Sequence, residues 1–234
     1  MGLIINGEYV SEFYLVRHGQ ASFGSKNYDK LSELGHQQAR WLGEYFTSRN
    51  IVFSQAFMGD MVRHRETTEG IFDGLNQLPA ITIDTGFNEF NFTNVGDSYL
   101  ALNPQSRLPK DPKPADLYRL LKLAMHAWSQ DLLPQDTLNE SWEDFKNRVL
   151  RALNEVCEQN SDKPILIVSS GGAISMLMSL VLGLDAKQVI ELNMQVRNTS
   201  ISHFFFNKNN IRLSSFNNIP HLDRLDRLDS ITFS

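Results

Sequence analysis

Two short stretches of this sequence set groups able to handle a phosphate at the ends of apolar runs. EFYLV (12–16) stops at Arg17-His18-Gly19, and ILIV (165–168) stops at Ser169-Ser170-Gly171-Gly172 before the apolar run AISMLMSL. Each apolar run reads as a buried strand, and glycine at its exit lets a bound group come close to the backbone. An arginine can hold a phosphoryl group by bidentate charge-assisted hydrogen bonds, and a neutral imidazole beside it can attack phosphorus. At the second run, a helix starting from the glycines aims free N–H groups at an anion. Taken alone, the first stretch is equally a surface Arg-His pair.

The intervening elements decide whether these strand ends meet. From Ser32, a good N-cap, Leu34, Ala39, Leu42 and Phe46 recur at helical spacing, with Trp41 and Tyr45, to about residue 48. A strand is expected to span IVFSQAFM (51–58), with a helix over 61–75 capped by Asp60, and a further strand at ITID (81–84). Residues 91–137 differ: Pro104, Pro109, Pro112, Pro114 and Pro134 bracket one amphipathic helix bearing Leu117, Leu120, Leu121, Ala124 and Trp128. This segment is expected to be an insertion laid over the pocket. A helix from about Ser141 follows, burying Trp142, Phe145, Val149, Leu153 and Val156. Next come the strand ILIVS, a helix from Gly171 to Gly183, and a hairpin of SISHFFF and IRLSSF around NKNN. The tail HLDRLDRLDS is a three-residue repeat too brief for a solenoid. Strands alternating with helices predict one α/β domain over residues 1–234, a three-layer sandwich with a mostly parallel central sheet.

Charge narrows the partners. The chain has 22 basic and 27 acidic side chains and a net charge of -5, which argues against a general nucleic-acid or anionic-membrane surface. No run reaches membrane-spanning length, and the start lacks a basic region followed by a long apolar stretch. The lone Cys157 excludes an internal disulfide framework and reads as packing rather than nucleophile. A cytoplasmic protein is expected.

Several motifs, in order along the chain, resemble those of the histidine phosphatase superfamily, also called the phosphoglycerate-mutase-like family. FYLVRHGQAS is similar to its strand-RHG motif, LSELGHQQA (31–39) to the turn into its first helix, and GDMVRHRETTEG (59–70) to the segment with its second phosphate-binding arginine. FNEF (87–90) matches the place of its acidic residue, NESWEDFKNRV (139–149) a Gly-Glu-Ser helix start with Asn139 replacing glycine, and RNTSISHF its last strand. The resemblance implies the phosphoglycerate-mutase-like fold. It also implies His18 as the nucleophile that becomes phosphorylated, Arg17 and Arg63 as phosphate clamps, and Glu89 as the general acid. A small phosphorylated substrate or phosphate ion is the implied partner, without a metal or other cofactor, because positioning and charge stabilisation supply most of what phosphoryl transfer needs. Without the resemblance, Glu89 is a solvated loop carboxylate.

Two positions depart from the family pattern. Ser170 stands where the family has a second histidine, in a pattern like Val-Ser-His-Gly, and Gly24 where it often has asparagine. A serine hydroxyl still donates to phosphate, with Gly171 and Gly172 keeping the helix amides available. Losing a charged transition-state contact nevertheless costs about 2.7–4 kcal/mol. His64 adjoins Arg63 but is set aside as a substitute, since neighbours on a helix point about 100° apart. The expected activity is therefore a phosphomonoesterase with a modified pocket. The alternatives are a phospholigand-binding or regulatory protein without turnover and, less favoured for want of a second phosphate subsite, a phosphoglycerate-type mutase.

Other polar residues are expected to serve the fold. His36 and His126 lie on helices without metal-ligand spacing, His203 alternates with phenylalanines, and no partner is evident for His221. Lys110, Lys113, Arg119 and Lys122 either draw an anion inward or form a solvated face. Arg197 and Asn198 sit within reach of the pocket. SISHFFF becomes a candidate contact between copies if it lies at a sheet edge.

Overall fold

A computed structural model describes residues 3–5, 8–22, 29–159, 161–208 and 210–233. The chain opens with β1 (Leu3–Ile5), which turns back antiparallel onto β2 (Glu8–Arg17). Helix α1 (Glu33–Ser48) follows, with the Ser32 hydroxyl capping the Gly35 N–H at 3.0 Å. Next come β3 (Gln55–Met58), α2 (Val62–Leu75) and β4 (Ala80–Ile83). Residues 51–54 precede β3 as connection rather than strand.

The segment 91–137 carries two α-helices where one was expected: α3 (Phe92–Leu102) and α4 (Pro114–Ser129). The buried residues of α3 are Val95, Gly96 and Ser98, and Phe92, Val95 and Tyr99 form a short apolar stripe against the core. Helix α5 (Trp142–Cys157) starts from a capping box between Ser141 and Asp144. Then follow β5 (Ile165–Ser169), α6 (Gly171–Leu182), α7 (Ala186–Asn193), β6 (Ile201–Phe206) and β7 (Ile211–Asn218). The unforeseen α7 does have a local cue, a capping box of Asp185 with Gln188.

The sheet runs β4-β3-β5-β2-β6-β7, with β1 on the side of β2. Pairings β4/β3, β3/β5 and β5/β2 are parallel, while β6 is antiparallel to both β2 and β7. Along the main path only β6 therefore opposes the rest, and the sheet is mostly parallel as expected. Alternation assigns the faces. Phe13, Leu15, Phe57, Ile165 and Ile167 pack with α4 to α7 on one side, and Val16, Ala56, Met58, Leu166 and Val168 with α1 and α2 on the other.

This arrangement fixes where a ligand belongs. Strands β2 and β5 are neighbours, Arg17 standing opposite Ser169, but the helices after them cover opposite faces. A crevice opens beyond the carboxyl ends of two such strands. SISHFFF is not an edge strand, so its proposed role as a contact between copies falls away.

Candidate active site

His18 leaves the end of β2 almost fully buried, at 4% exposure. Its Nδ1 lies 2.7 Å from the carbonyl oxygen of Gly19, an acceptor only, so in the neutral ring Nδ1 carries the proton and Nε2 the lone pair. Burial, then the positive charges of Arg63 and Arg17 with His64 beside them, holds the imidazole well below its ordinary value and keeps it neutral. The Gly19 backbone passes so near α1 that a Cβ there would sit 2.5 Å from the Gly35 carbonyl oxygen. Its N–H donates to Thr67 Oγ1 at 2.9 Å, and Thr67 donates in turn to the Arg63 carbonyl at 2.7 Å, tying the turn to α2.

Helix α2 supplies the next wall. Asp60 does not cap it: the N-cap is Met61, without a side-chain bond, and the Asp60 carboxylate instead accepts from Asn88 Nδ2 at 2.6 Å. Asp29 takes over that task from 33 residues away, accepting the Val62 N–H at 2.8 Å. Its other oxygen accepts from Arg63 Nη1 at 2.9 Å. Arg63, 6% exposed, extends Nη2 to within 3.5 Å of Ser170 Oγ. His64, fully buried, brings Nε2 to 2.7 Å from the same oxygen, and its ring centroid lies 5.9 Å from that of His18.

The two serines after β5 separate in role. Ser169 donates to the Phe87 carbonyl at 2.7 Å and holds the loop before Glu89, while Ser170 turns to Arg63 and His64. A Cβ on Gly171 would lie 3.7 Å from the Arg17 guanidinium carbon. The half-buried Glu89 accepts the Gly172 N–H through Oε2 at 3.0 Å. That amide, expected to be available to an anion, is taken by a carboxylate. Behind Glu89, the Phe90 ring packs 5.0 Å from Trp128 and 5.6 Å from Phe145. Arg148 donates to the carbonyls of Gly86 and Asn88 at 3.1 and 2.8 Å while paired with Glu140. The 91–137 segment thus reaches the site through Trp128.

The chain's last described residues complete the rim. Arg17 Nη1 donates to the carbonyls of Val196 and Phe233. Asn198 Nδ2 donates to the His18 carbonyl at 3.1 Å and its own carbonyl-type oxygen accepts from Thr232 at 2.8 Å. Gln38 joins Gln20 to Ser230 and Thr232.

All six residues singled out from the sequence, Arg17, His18, Arg63, Glu89, Ser170 and Gly171, converge at these strand ends. The angular argument against His64 does not hold, since its Nε2 meets Ser170 Oγ. Ser170 lies ahead of the first turn of α2, where two successive side chains reach one point despite their angular offset. Asp29, Thr67, Gln38 and Thr232 were missed, and the partners that tie them to the site (Val62 and Arg63, Gly19, Gln20 and Asn198 in turn) are too distant in sequence to leave a local pattern. Of Arg197 and Asn198, Asn198 does reach the backbone of His18, whereas Arg197 bonds to Asn217. Gly24 lies outside the described residues.

The remaining histidines sit elsewhere. His203 pairs with Glu12 at 2.7 Å, His221 meets Thr199 Oγ1 at 2.8 Å, and His36 lies 3.7 Å from Glu66. Burial pushes the Cys157 thiol up to about 12, as suits packing. Among the described residues no group of three or more His, Cys, Asp or Glu is placed to hold a metal ion, and no helix is long and apolar enough to cross a membrane.

Known proteins share this frame. The probable phosphoglycerate mutase GpmB of Erwinia tasmaniensis is 27% identical over 197 residues, spanning 82% of this chain and 83% of its own. A crystal structure of phosphoglycerate mutase from Bacillus anthracis has a TM-score of 0.65 at 18% identity, covering 91% of this chain and 95% of that one. Phosphoserine phosphatase from Entamoeba histolytica, in complex with 3-phosphoglyceric acid, gives 0.63 at 21% identity over 91% of this chain and 99% of its own. The family model of the histidine phosphatase superfamily, branch 1, matches residues 13–219, and the chain belongs to that superfamily.

Proposed function

We propose that the protein is a phosphomonoesterase that works through a phosphohistidine at His18. The observation carrying this reading is the His18 ring itself: buried, neutral, and locked by the Gly19 carbonyl in the tautomer whose Nε2 bears the lone pair. Nε2 attacks phosphorus, the bond from phosphorus to the substrate oxygen breaks, and Glu89 gives the leaving oxygen its proton. Water then attacks the phosphohistidine, returning its proton to Glu89 and freeing phosphate. Arg63 and Arg17 meet the charge on the equatorial oxygens, and Asp29 fixes Arg63 while leaving Nη2 directed at Ser170.

The choice of water over a second substrate as acceptor rests on the cover. A mutase must hold two phosphates at once. Among the described residues Lys122 of the cover is already paired with Glu191 at 2.8 Å, and its other basic side chains, Arg107, Lys110, Lys113 and Arg119, are exposed and make no ion pair with the site.

The test is phosphate release from an aryl phosphate, with and without a bisphosphorylated primer, by wild type and His18→Ala. Release without primer, abolished in His18→Ala, together with an acid-labile, base-stable phosphoprotein in wild type, is expected. Isomerisation of a phosphorylated acid only with primer makes the protein a mutase, and phosphate binding with no release makes it a binding protein.

A further inference from the structure

Ser170 and His64 are both fully buried, with Nε2 and Oγ 2.7 Å apart. A hydroxyl has one proton and two lone pairs, and Arg63, which can only donate, occupies one lone pair from 3.5 Å. His64 decides what becomes of the proton. With Nε2 bare, the ring accepts the hydroxyl hydrogen and Ser170 turns lone pairs toward an incoming anion. With Nε2 protonated, the ring fills the second lone pair and the hydroxyl hydrogen points away from both neighbours. An anion in the pocket selects the second state.

The surroundings of His64 oppose this selection in the free pocket. Its Nδ1 is buried without a well-formed hydrogen bond, beside the Gly59 backbone, which accepts weakly and favours the proton on Nδ1, so the anion itself must draw the ring into the Nε2–H tautomer. Burial, then the Arg63 charge, keeps the ring neutral against a weaker opposing effect of the Gly59 backbone. The ring also depends on glycine at position 59, where a Cβ would fall 2.3 Å from Nδ1.

We propose that His64 and Ser170 form a two-residue donor relay for the phosphoryl group, His64 Nε2–H donating to Ser170 Oγ and Ser170 O–H donating to a phosphoryl oxygen. The proposal rests on the assignment of this site to phosphate. It makes His64 a positioning residue that delivers, through serine, a donor to the place where the sequence lacks an imidazole. The relay hands no proton to the anion: it orients and polarises the hydroxyl.

The test uses inorganic phosphate and vanadate as ligands, so it needs no turnover. Ser170→Ala and His64→Leu are each expected to weaken binding roughly ten- to hundredfold, and the double variant no further than either alone. His64→Gln, which keeps a donor at similar reach, is expected to recover part of the loss. Nitrogen NMR of the wild-type phosphate complex is expected to show His64 protonated at Nε2, a readout independent of whether the variants fold. Additive losses, unchanged affinity in Ser170→Ala, failure of wild type to bind either anion, or His64 protonated at Nδ1 in the complex each overturn the relay. Binding with the expected coupling but no phosphate release leaves the relay standing and removes the phosphatase. Release without the coupling does the reverse.

Discussion

Oε2 of Glu89 accepts the backbone N–H of Gly172 at 3.0 Å, so the proposed acid is anchored to the first turn of the helix that begins beside Ser170. The contact is close on both sides, since a Cβ on Gly172 would lie 2.1 Å from Oε1. A glutamine can accept the same N–H, which separates holding the helix from giving a proton. Glu89→Gln should leave the melting temperature nearly unchanged and lower kcat/KM, which reports the phosphorylation of His18 alone, roughly 10²- to 10⁴-fold for alkyl phosphates. For p-nitrophenyl phosphate, whose leaving group needs no proton, the loss should be far smaller. Equal losses on both substrates would remove Glu89 from the acid role.

Asp29 both caps α2 and holds Arg63, and the two effects separate by substitution. Asp29→Asn retains an acceptor for the Val62 N–H but loses the charge opposite Arg63. It should keep stability while lowering kcat/KM, by about tenfold for one impaired charge-assisted contact. Asp29→Ala also loses the cap, and should be less stable by about 1 kcal/mol. Thermal melts and steady-state kinetics on the two variants check both halves.

These residues show what a sequence can and cannot disclose. Arg17-His18-Gly19 and Ser169 to Gly172 were legible because each sits where an apolar strand run meets small residues, a local event. A mostly parallel sheet followed from alternating strands and helices, whereas the order that sets β2 beside β5 did not. Asp29 was illegible because its partners lie 33 and 34 residues away, and Thr232 because it meets Asn198 across 34 residues of hairpin and tail. His64 was visible, but the angular argument misplaced its ring. The angle between neighbouring helical side chains says little at a first turn facing its target end-on.

Buried neutral histidines set the response of stability to pH. Burial, then the Arg227 charge, lowers His221 to about 3 from an ordinary 6.5, and His18 and His64 are also held well below that value. Between the lowered and ordinary values the unfolded chain binds a proton that the folded chain refuses. Their contribution is therefore fully present above about pH 6.5 and lost as pH falls below it, by up to roughly 1.4 kcal/mol per pH unit for each ring. His221→Gln, which can still bond Thr199, should reduce the slope of unfolding free energy against pH by about one proton between pH 4 and 6. An unchanged slope in denaturant titrations would show that His221 takes up no extra proton on unfolding.

The two positions of the relay also predict how the pocket tolerates an imidazole at the strand end. Ser170 is fully buried with the His64 ring 2.7 Å from its oxygen, so Ser170→His alone must push a second ring into occupied space. Overpacking of this kind costs typically 1–3 kcal/mol, and the displaced His64 or Arg63 would spoil the phosphate contacts. Ser170→His should thus lower both the melting temperature and kcat/KM instead of repairing the site. Adding His64→Ala vacates the volume of one imidazole and admits the other. The double variant should regain stability over Ser170→His and bind phosphate more tightly than either single variant. A rise in kcat/KM for Ser170→His alone would mean that the pocket has room for both rings and that His64 does not fill the place of the missing one.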